Sequence, residues 1–562
     1  MAYPLFSQNV FLELNLNNQT VRSRAFSARP RRTLEIFRVI ERAGNDKRIG
    51  GIILNISAFQ AGKETLWELH NALEKFKSKG KKVCAFISAA DLDMYCLATA
   101  ADKIVMDDQG TLTLLGYVWG RGYIQHSLEK LGVGARELRY LEFKSAAETY
   151  TRDSLSNADR RQYGDVLDDI MALARYTVTN ARSWTDSEFD SIINNEFMFS
   201  ARSALARGLV DYTGRKEAVL NAIREITGGE TENDFFIYGD SDSGITGSKY
   251  SYQPAKPSWL NKPPIIAVIY ADGVTDMEQG IAAKNLARTI REVSEKKRVK
   301  ALVIRINSPG GSAEAADYVA QAVKNAKQRI PVVVSMGAVA ASGGYWISMN
   351  ADHITASPVT LTGSIGVIGS WFYDKGLNKK LGLTIDIMQR GDHADLLTGI
   401  ILPHRDLNPA EEARYREYIL DLYGDFTAKV AESRNMDIER VEAVARGRVY
   451  SGLGALDAGL IDSIGGLDDA VETARKLAGI PIHRKVAYNE YPKPKFFDKI
   501  LERMLAPEIS GNNATATAAV LMTDLFLSGP LLEDLRFRIA HNGQVMPILP
   551  LGTVSNSPSA GR

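Results

Sequence analysis

The chain has 562 residues, 45% of them hydrophobic and 24% charged, a composition that excludes a disordered polymer, a collagen and a disulfide-held miniprotein. Lys+Arg 68 against Asp+Glu 67 leaves a net charge of +1, so the overall charge gives no sign of nucleic acid or an anionic membrane surface as the main partner. The length allows three or four domains of about 150 residues each.

Residues 1–31 hold no uninterrupted apolar run behind a basic start and read as an N-terminal segment without an export signal or anchor. A first repeat is expected over 32–227, with strands at GIILNI and VCAFIS and a helix from Glu64 to Lys77. Cys84 and Cys96 lie in apolar surroundings and read as core residues, and two cysteines are too few for a disulfide framework or a cysteine zinc site. Residues 228–264 are dense in Gly, Ser, Asp and Pro and read as a linker.

A second repeat follows over 265–480, with strands at ALVIRI and PVVVSM and a helix from Ala313 to Lys327. Strands separated by helices define βαβ units, so the expected fold class is α/β, two tandem domains with parallel sheets and flanking helices. Ile330 to Ala351 carries no charge over 22 residues, close to the roughly 20 a bilayer span requires. Pro331 and Gly343-Gly344 argue against a span there. Residues 481–562 form a C-terminal extension whose end, NSPSAGR, is expected to be disordered. Within it Ala514 to Leu532 is apolar, a candidate for oligomer or lipid contact, although Asp524 and Pro530 oppose a span.

The two repeats align at an offset of 250 residues. DKRIGGIILNI from Asp46 matches KKRVKALVIRI from Lys296, and YCLATAADKIVMDDQGTLTLLG from Tyr95 matches YWISMNADHITASPVTLTGSIG from Tyr345. RGLVDYTG from Arg207 and AGLIDSIGG from Ala458 close the copies in the same way. Such a period is a domain duplication, since stacked repeats recur every 20–50 residues. Asp91 and Asp93 fall opposite positions 341 and 343, which further excludes a membrane span in that stretch.

The chemistry is expected where the copies differ. In MGAVAASGGYW, Ser342 follows an apolar strand and opens an apolar helical segment, where backbone N–H groups and the helix dipole favour developing negative charge. Its counterpart is the inert Leu92. NSPGGS directly after ALVIRI provides Gly310 and Gly311, which with Gly343 are candidate oxyanion donors; the first copy has no such glycine pair. The reverse loss concerns a base: Lys144, between Phe143 and the small residues Ser145 to Ala147, aligns with Ala394. Desolvation in apolar surroundings lowers a lysine from its usual pKa of roughly 10.4 toward a useful range. Taken singly, the serine reads first as a turn residue or helix cap and the lysine as a solvated surface charge.

In combination, NSPGG at Asn307, MGAVAASGGYWIS at Met336, LTGSIGVIG at Leu361, FKSAAE at Phe143 and PKPKFFDKILERM at Pro492 resemble the signal peptide peptidase A family in its long, tandem-repeat form. These are serine proteases with a Ser–Lys dyad on the Clp protease/crotonase fold. The resemblance implies Ser342 as nucleophile, Lys144 as general base and Ser364 as an accessory serine that orients the lysine; the counterpart of Ser364 is Leu114. It further implies acyl transfer on short apolar peptides such as released signal peptides, a homo-oligomer (a tetramer by resemblance), no nucleic acid, no cofactor and no metal. The resemblance implies association with the bacterial inner membrane; with no anchor visible in the sequence, the expectation is peripheral contact or otherwise a cytoplasmic location.

Rival bases are His393, beside the position aligned with Lys144, and His353, aligned with Lys103. Two other functions stay open from sequence: an inactive peptide-binding member, and an acyl-CoA-processing enzyme of the same fold.

Overall fold

The computed structural model describes residues 10–16, 20–21, 31–57, 59–229, 236–238, 262–492, 530–549 and 553–555. Among them, two large sheets share one strand order. The first runs Tyr212–Thr213, Lys103–Thr113, Lys82–Asp91, Ile49–Asn55, Val10–Asn15, Phe236–Tyr238, all parallel, with Met198–Ser200 joining Lys103–Thr113 antiparallel. The second runs Val449–Tyr450, Leu361–Gly363, Val332–Ala341, Val299–Ser308, Ile265–Asp272, Ala487–Tyr491, parallel except for its Val449–Tyr450 edge. The α/β class with mostly parallel sheets is therefore the observed one.

The β-branched runs form strands because helices cover both faces, and Leu302 to Ile304 and Val332 to Val334 are fully buried. Helix Lys63–Lys77 buries Leu66, Leu69, Leu73 and Phe76 at helical spacing and carries Lys75 and Lys77 in its last turn, where cations suit the dipole. Helix Ala313–Lys327 starts where the Ser312 side chain accepts from Ala315 N–H, and buries Ala316, Val319, Ala320 and Val323. The charge-free stretch from Ile330 is a strand followed by the short helix Gly343–Ser348, and among the described residues no helix is long and apolar enough to cross a membrane.

The sheets draw on residues outside the spans read as repeats. Val10–Asn15 lies within the segment 1–31, yet it pairs along its length with Ile49–Asn55. Phe236–Tyr238, within the 228–264 stretch, pairs on its other side. Ala487–Tyr491, beyond 480, pairs with Ile265 to Ile269. They lie outside the segments that align between the two copies, so the comparison that delimits the repeats does not mark them. NSPSAGR and most of Ala514 to Leu532 lie outside the described residues.

The halves share a core. Leu66, Leu69 and Leu73 belong to one apolar cluster with Val268, Val303, Val333, Leu467 and Val471. Inside that contact Arg305 Nη1 donates to Glu68 Oε1 at 2.6 Å, a buried pair between a strand of the second sheet and a helix of the first half. A further exchange places the site: strand Val133–Leu138 leaves its own sheet and pairs antiparallel with Ile368–Asp374, Leu138 opposite Gly369 and Val133 opposite Asp374.

Candidate active site

Ser342 sits between strand Val332–Ala341 and helix Gly343–Ser348 with φ 59° and ψ −111°, a backbone state that costs a non-glycine residue about 1–3 kcal/mol. Surrounding structure holds it there. Ser342 N–H donates to Gly363 O at 2.8 Å, Trp346 N–H donates to Ser342 O at 2.8 Å, and Tyr345, Trp346 and Ile347 anchor the helix in the core. The sequence expectation of a serine at a strand-to-helix turn corresponds to this geometry.

Lys144 reaches the same point from the first half, on the loop that follows strand Val133–Leu138. That loop is clamped on several sides: Phe143 N–H donates to Arg446 O at 3.0 Å, Gln162 Nε2 donates to Phe143 O at 3.2 Å, and Arg121 Nη1 donates to Ser145 O at 2.8 Å. Gln162 also accepts from Val449 N–H at 2.9 Å, which ties helix Asn157–Arg182 to the second sheet. Lys144 Nζ lies 2.6 Å from Ser342 Oγ and 2.9 Å from both the Oγ and the carbonyl O of Ser364.

Lys144, Ser342 and Ser364 are each 0% exposed. Burial, with the positive charge of Arg538 adding to it, holds the Lys144 amine well below the usual lysine range. Among the described residues no carboxylate forms an ion pair with this amine to oppose that shift.

Of the three glycines singled out from sequence, two aim their N–H groups at one point. Gly343 N–H and Gly311 N–H both donate to Pro547 O, at 3.1 and 2.9 Å. Gly310 N–H instead donates to Ser308 Oγ at 3.2 Å, so Gly310 borders that point without supplying a donor. The rival histidines have other partners. His353 Nε2 bonds with Ser463 Oγ at 2.8 Å, and His393, with its ring more than half exposed, bonds with Glu411 Oε1 at 2.8 Å.

Cys84 is buried, which pushes its thiol up to about 12, and Cys96 is half-buried and shifted the same way; neither lies among the groups described above. Sequence reasoning missed Arg538, Gln162, Gly447 and the segment around Pro547. Arg538 and the Pro547 segment left a trace, as part of a stretch without a counterpart in the first repeat.

A buried serine facing a desolvated lysine, on paired parallel-sheet units, is the arrangement against which known proteins can be compared. Residues 75–228 and 324–481 match Peptidase family S49. The chain is 30% identical over 469 residues to the chloroplastic serine protease SPPA of Arabidopsis thaliana, covering 81% of this chain and 67% of the relative. It is 31% identical over 484 residues to Protease 4 of Salmonella typhi, covering 84% and 75%. Among solved structures, a ClpP1 mutant from Listeria monocytogenes aligns with 37% of this chain and 94% of its own at 18% identity, with a TM-score of 0.25. The protein is thus a serine peptidase. More particularly, the chain belongs to peptidase family S49, with the signal peptide peptidase A and Protease 4 enzymes.

Proposed function

We propose that this chain is an endopeptidase in which Ser342 is the nucleophile, Lys144 the general base and Ser364 the residue that orients the lysine. The observation that carries the reading is the 2.6 Å separation of Lys144 Nζ and Ser342 Oγ in a fully buried setting. A neutral amine has two N–H donors and one lone pair. The carbonyl and hydroxyl oxygens of Ser364 take the two donors, which leaves the lone pair for the Ser342 O–H.

In the reaction, the lone pair of Lys144 takes the hydroxyl proton as Ser342 Oγ bonds to the scissile carbonyl carbon. The carbonyl oxygen becomes an oxyanion between Gly343 N–H and Gly311 N–H. Protonated Lys144 returns the proton to the departing amine, and an acyl-enzyme remains. Water, deprotonated by Lys144 in turn, releases the acyl group and restores Ser342.

The substrate class is the one the family resemblance implies, short apolar peptides such as released signal peptides. Apolar packing beside the dyad supports it: Ala146, Ala147 and Ile368 belong to one buried cluster, and Trp119, Ala341 and Val449 to another. In this reading the first repeat supplies the base and the second the nucleophile, so one chain completes the site. The reading keeps the homo-oligomer and the peripheral membrane contact as family expectations, and it requires no metal or cofactor.

Replacement of either dyad member tests it. Ser342→Ala and Lys144→Ala are each expected to cut turnover of a fluorogenic peptide with small apolar side chains by about 10²–10⁴-fold or more, and Ser342→Ala to abolish labelling by a fluorophosphonate. Turnover that survives in Lys144→Ala would move the base to a histidine.

A further inference from the structure

Residues near the end of the chain occupy the cleft that this mechanism needs open. Val545 and Met546 pair antiparallel with Gly369 and Ile368. Two residues on, Ile548 forms an antiparallel bridge with Gly310, and Leu549 N–H donates to Pro309 O at 2.7 Å. The segment therefore runs as an extended strand between two backbone edges, the pattern by which a cleft holds a peptide. Between those edges, Pro547 O accepts from Gly343 N–H and Gly311 N–H, the two donors aimed at the oxyanion position.

The fit extends to the side chains. Met546 and Ile548 join Ala146, Ala147 and Ile368 in one apolar cluster, and Leu549 joins Trp119, Tyr163, Ala341 and Val449 in another. Gly310, at φ +100°, allows the approach: a Cβ there would lie 2.2 Å from Pro547 O. Upstream, Asn542 bonds both the N–H and the carbonyl of Phe372 at 2.8 Å, and helix Pro530–Ala540 buries Arg538 against Asp534. A tail that only covered apolar surface would not require a carbonyl oxygen on those two N–H groups.

We propose that Val545–Leu549 is an internal pseudosubstrate, a strand that fills the peptide cleft and lowers the fraction of molecules open to other peptides. This rests on the Ser342–Lys144 reading. An intramolecular occupant raises the apparent KM by the reciprocal of the fraction of time the cleft is open and leaves the turnover of bound substrate unchanged.

The experiment compares the full chain with two variants, one ending at Gln544 and one carrying Met546→Asp, which places a charge in the apolar cluster. Both keep the helix that holds Arg538. Fluorophosphonate labelling of Ser342 and kcat/KM on the fluorogenic peptide are expected to rise by about tenfold or more in each, through KM. A synthetic peptide matching residues 541–555 should inhibit the shortened chain competitively, and the same peptide with Met546→Asp should not. Should one variant fail to fold, the other and the added peptide still decide.

Equal labelling of the full chain and the folded variants overturns the proposal while leaving Ser342 as nucleophile. So does Ser342-dependent cleavage between Pro547 and Ile548, read by mass spectrometry, because the segment is then a substrate. Absence of labelling in every chain removes the nucleophile assignment and the pseudosubstrate with it.

Discussion

Lys144 is the residue on which the proposed chemistry turns, and its burial has two opposite effects. Its amine is held well below its usual range by desolvation and by Arg538, whereas the unfolded chain titrates at roughly 10.4. Between those values the unfolded state binds the extra proton, so stability rises with pH across that window and Lys144 is a net burden below it. Activity is expected to climb as the amine loses its proton and to level off well below pH 10.4. Lys144→Met, similar in size and never charged, should therefore stabilise the fold by about 1 kcal/mol while abolishing cleavage. Thermal denaturation beside a peptide assay reads both, and loss of stability together with activity would argue for a merely structural lysine. As candidates, Ser342 and Lys144 were visible in the sequence because each has an inert counterpart, Leu92 and Ala394, and Ser364 through the family motif LTGSIG, with Leu114 opposite it. Gly447 was not: at φ +84° a Cβ there would lie 2.6 Å from Lys144 Cβ, a contact between residues far apart in sequence.

At the scale of elements, the strand that delivers the lysine is foreign to the sheet of its own half. Strand–helix alternation correctly pointed to Ile49–Asn55, Lys82–Asp91, Val299–Ser308 and Val332–Ala341, because the central run of each is largely apolar and buried on both faces. It did not reveal that Val133–Leu138 pairs with Ile368–Asp374, since periodicity records which face of a strand is covered and not which strand lies beside it. A consequence is measurable. A chain stopped at Gly229 lacks the receiving strand, so residues 133–148 should be open to protease there, while the full chain protects them. Protection in the short fragment would mean that the loop is ordered by its own half.

On the scale of the molecule, the two halves are joined by a shared core and by Arg305 and Glu68 within it. Burial pushes the Glu68 carboxyl up to about 7 against the pull of Arg305. A carboxyl raised in this way binds its proton more tightly when folded, so its contribution to stability falls as pH rises from about 4.3 toward 7. Breaking the pair alone is expensive. Arg305→Met should cost about 3–5 kcal/mol by leaving a buried carboxylate unpaired, and Glu68→Leu added to it should recover most of that loss. Urea denaturation of the single and double variants checks this, and equal stability of the two would show that the pair does not couple the halves. The duplication made the two-domain plan legible. The interlocking of the copies was hidden because both partners of such a contact look like ordinary core or surface residues in isolation.

The strand exchange also sets an order in time. At a synthesis rate of about 5–20 residues per second, the strand that receives Val133–Leu138 leaves the ribosome roughly 10–50 s after it. On the proposed mechanism, Lys144 waits through most of that interval for Ser342 to follow it, and until both are seated the newborn protein cannot cut its neighbours.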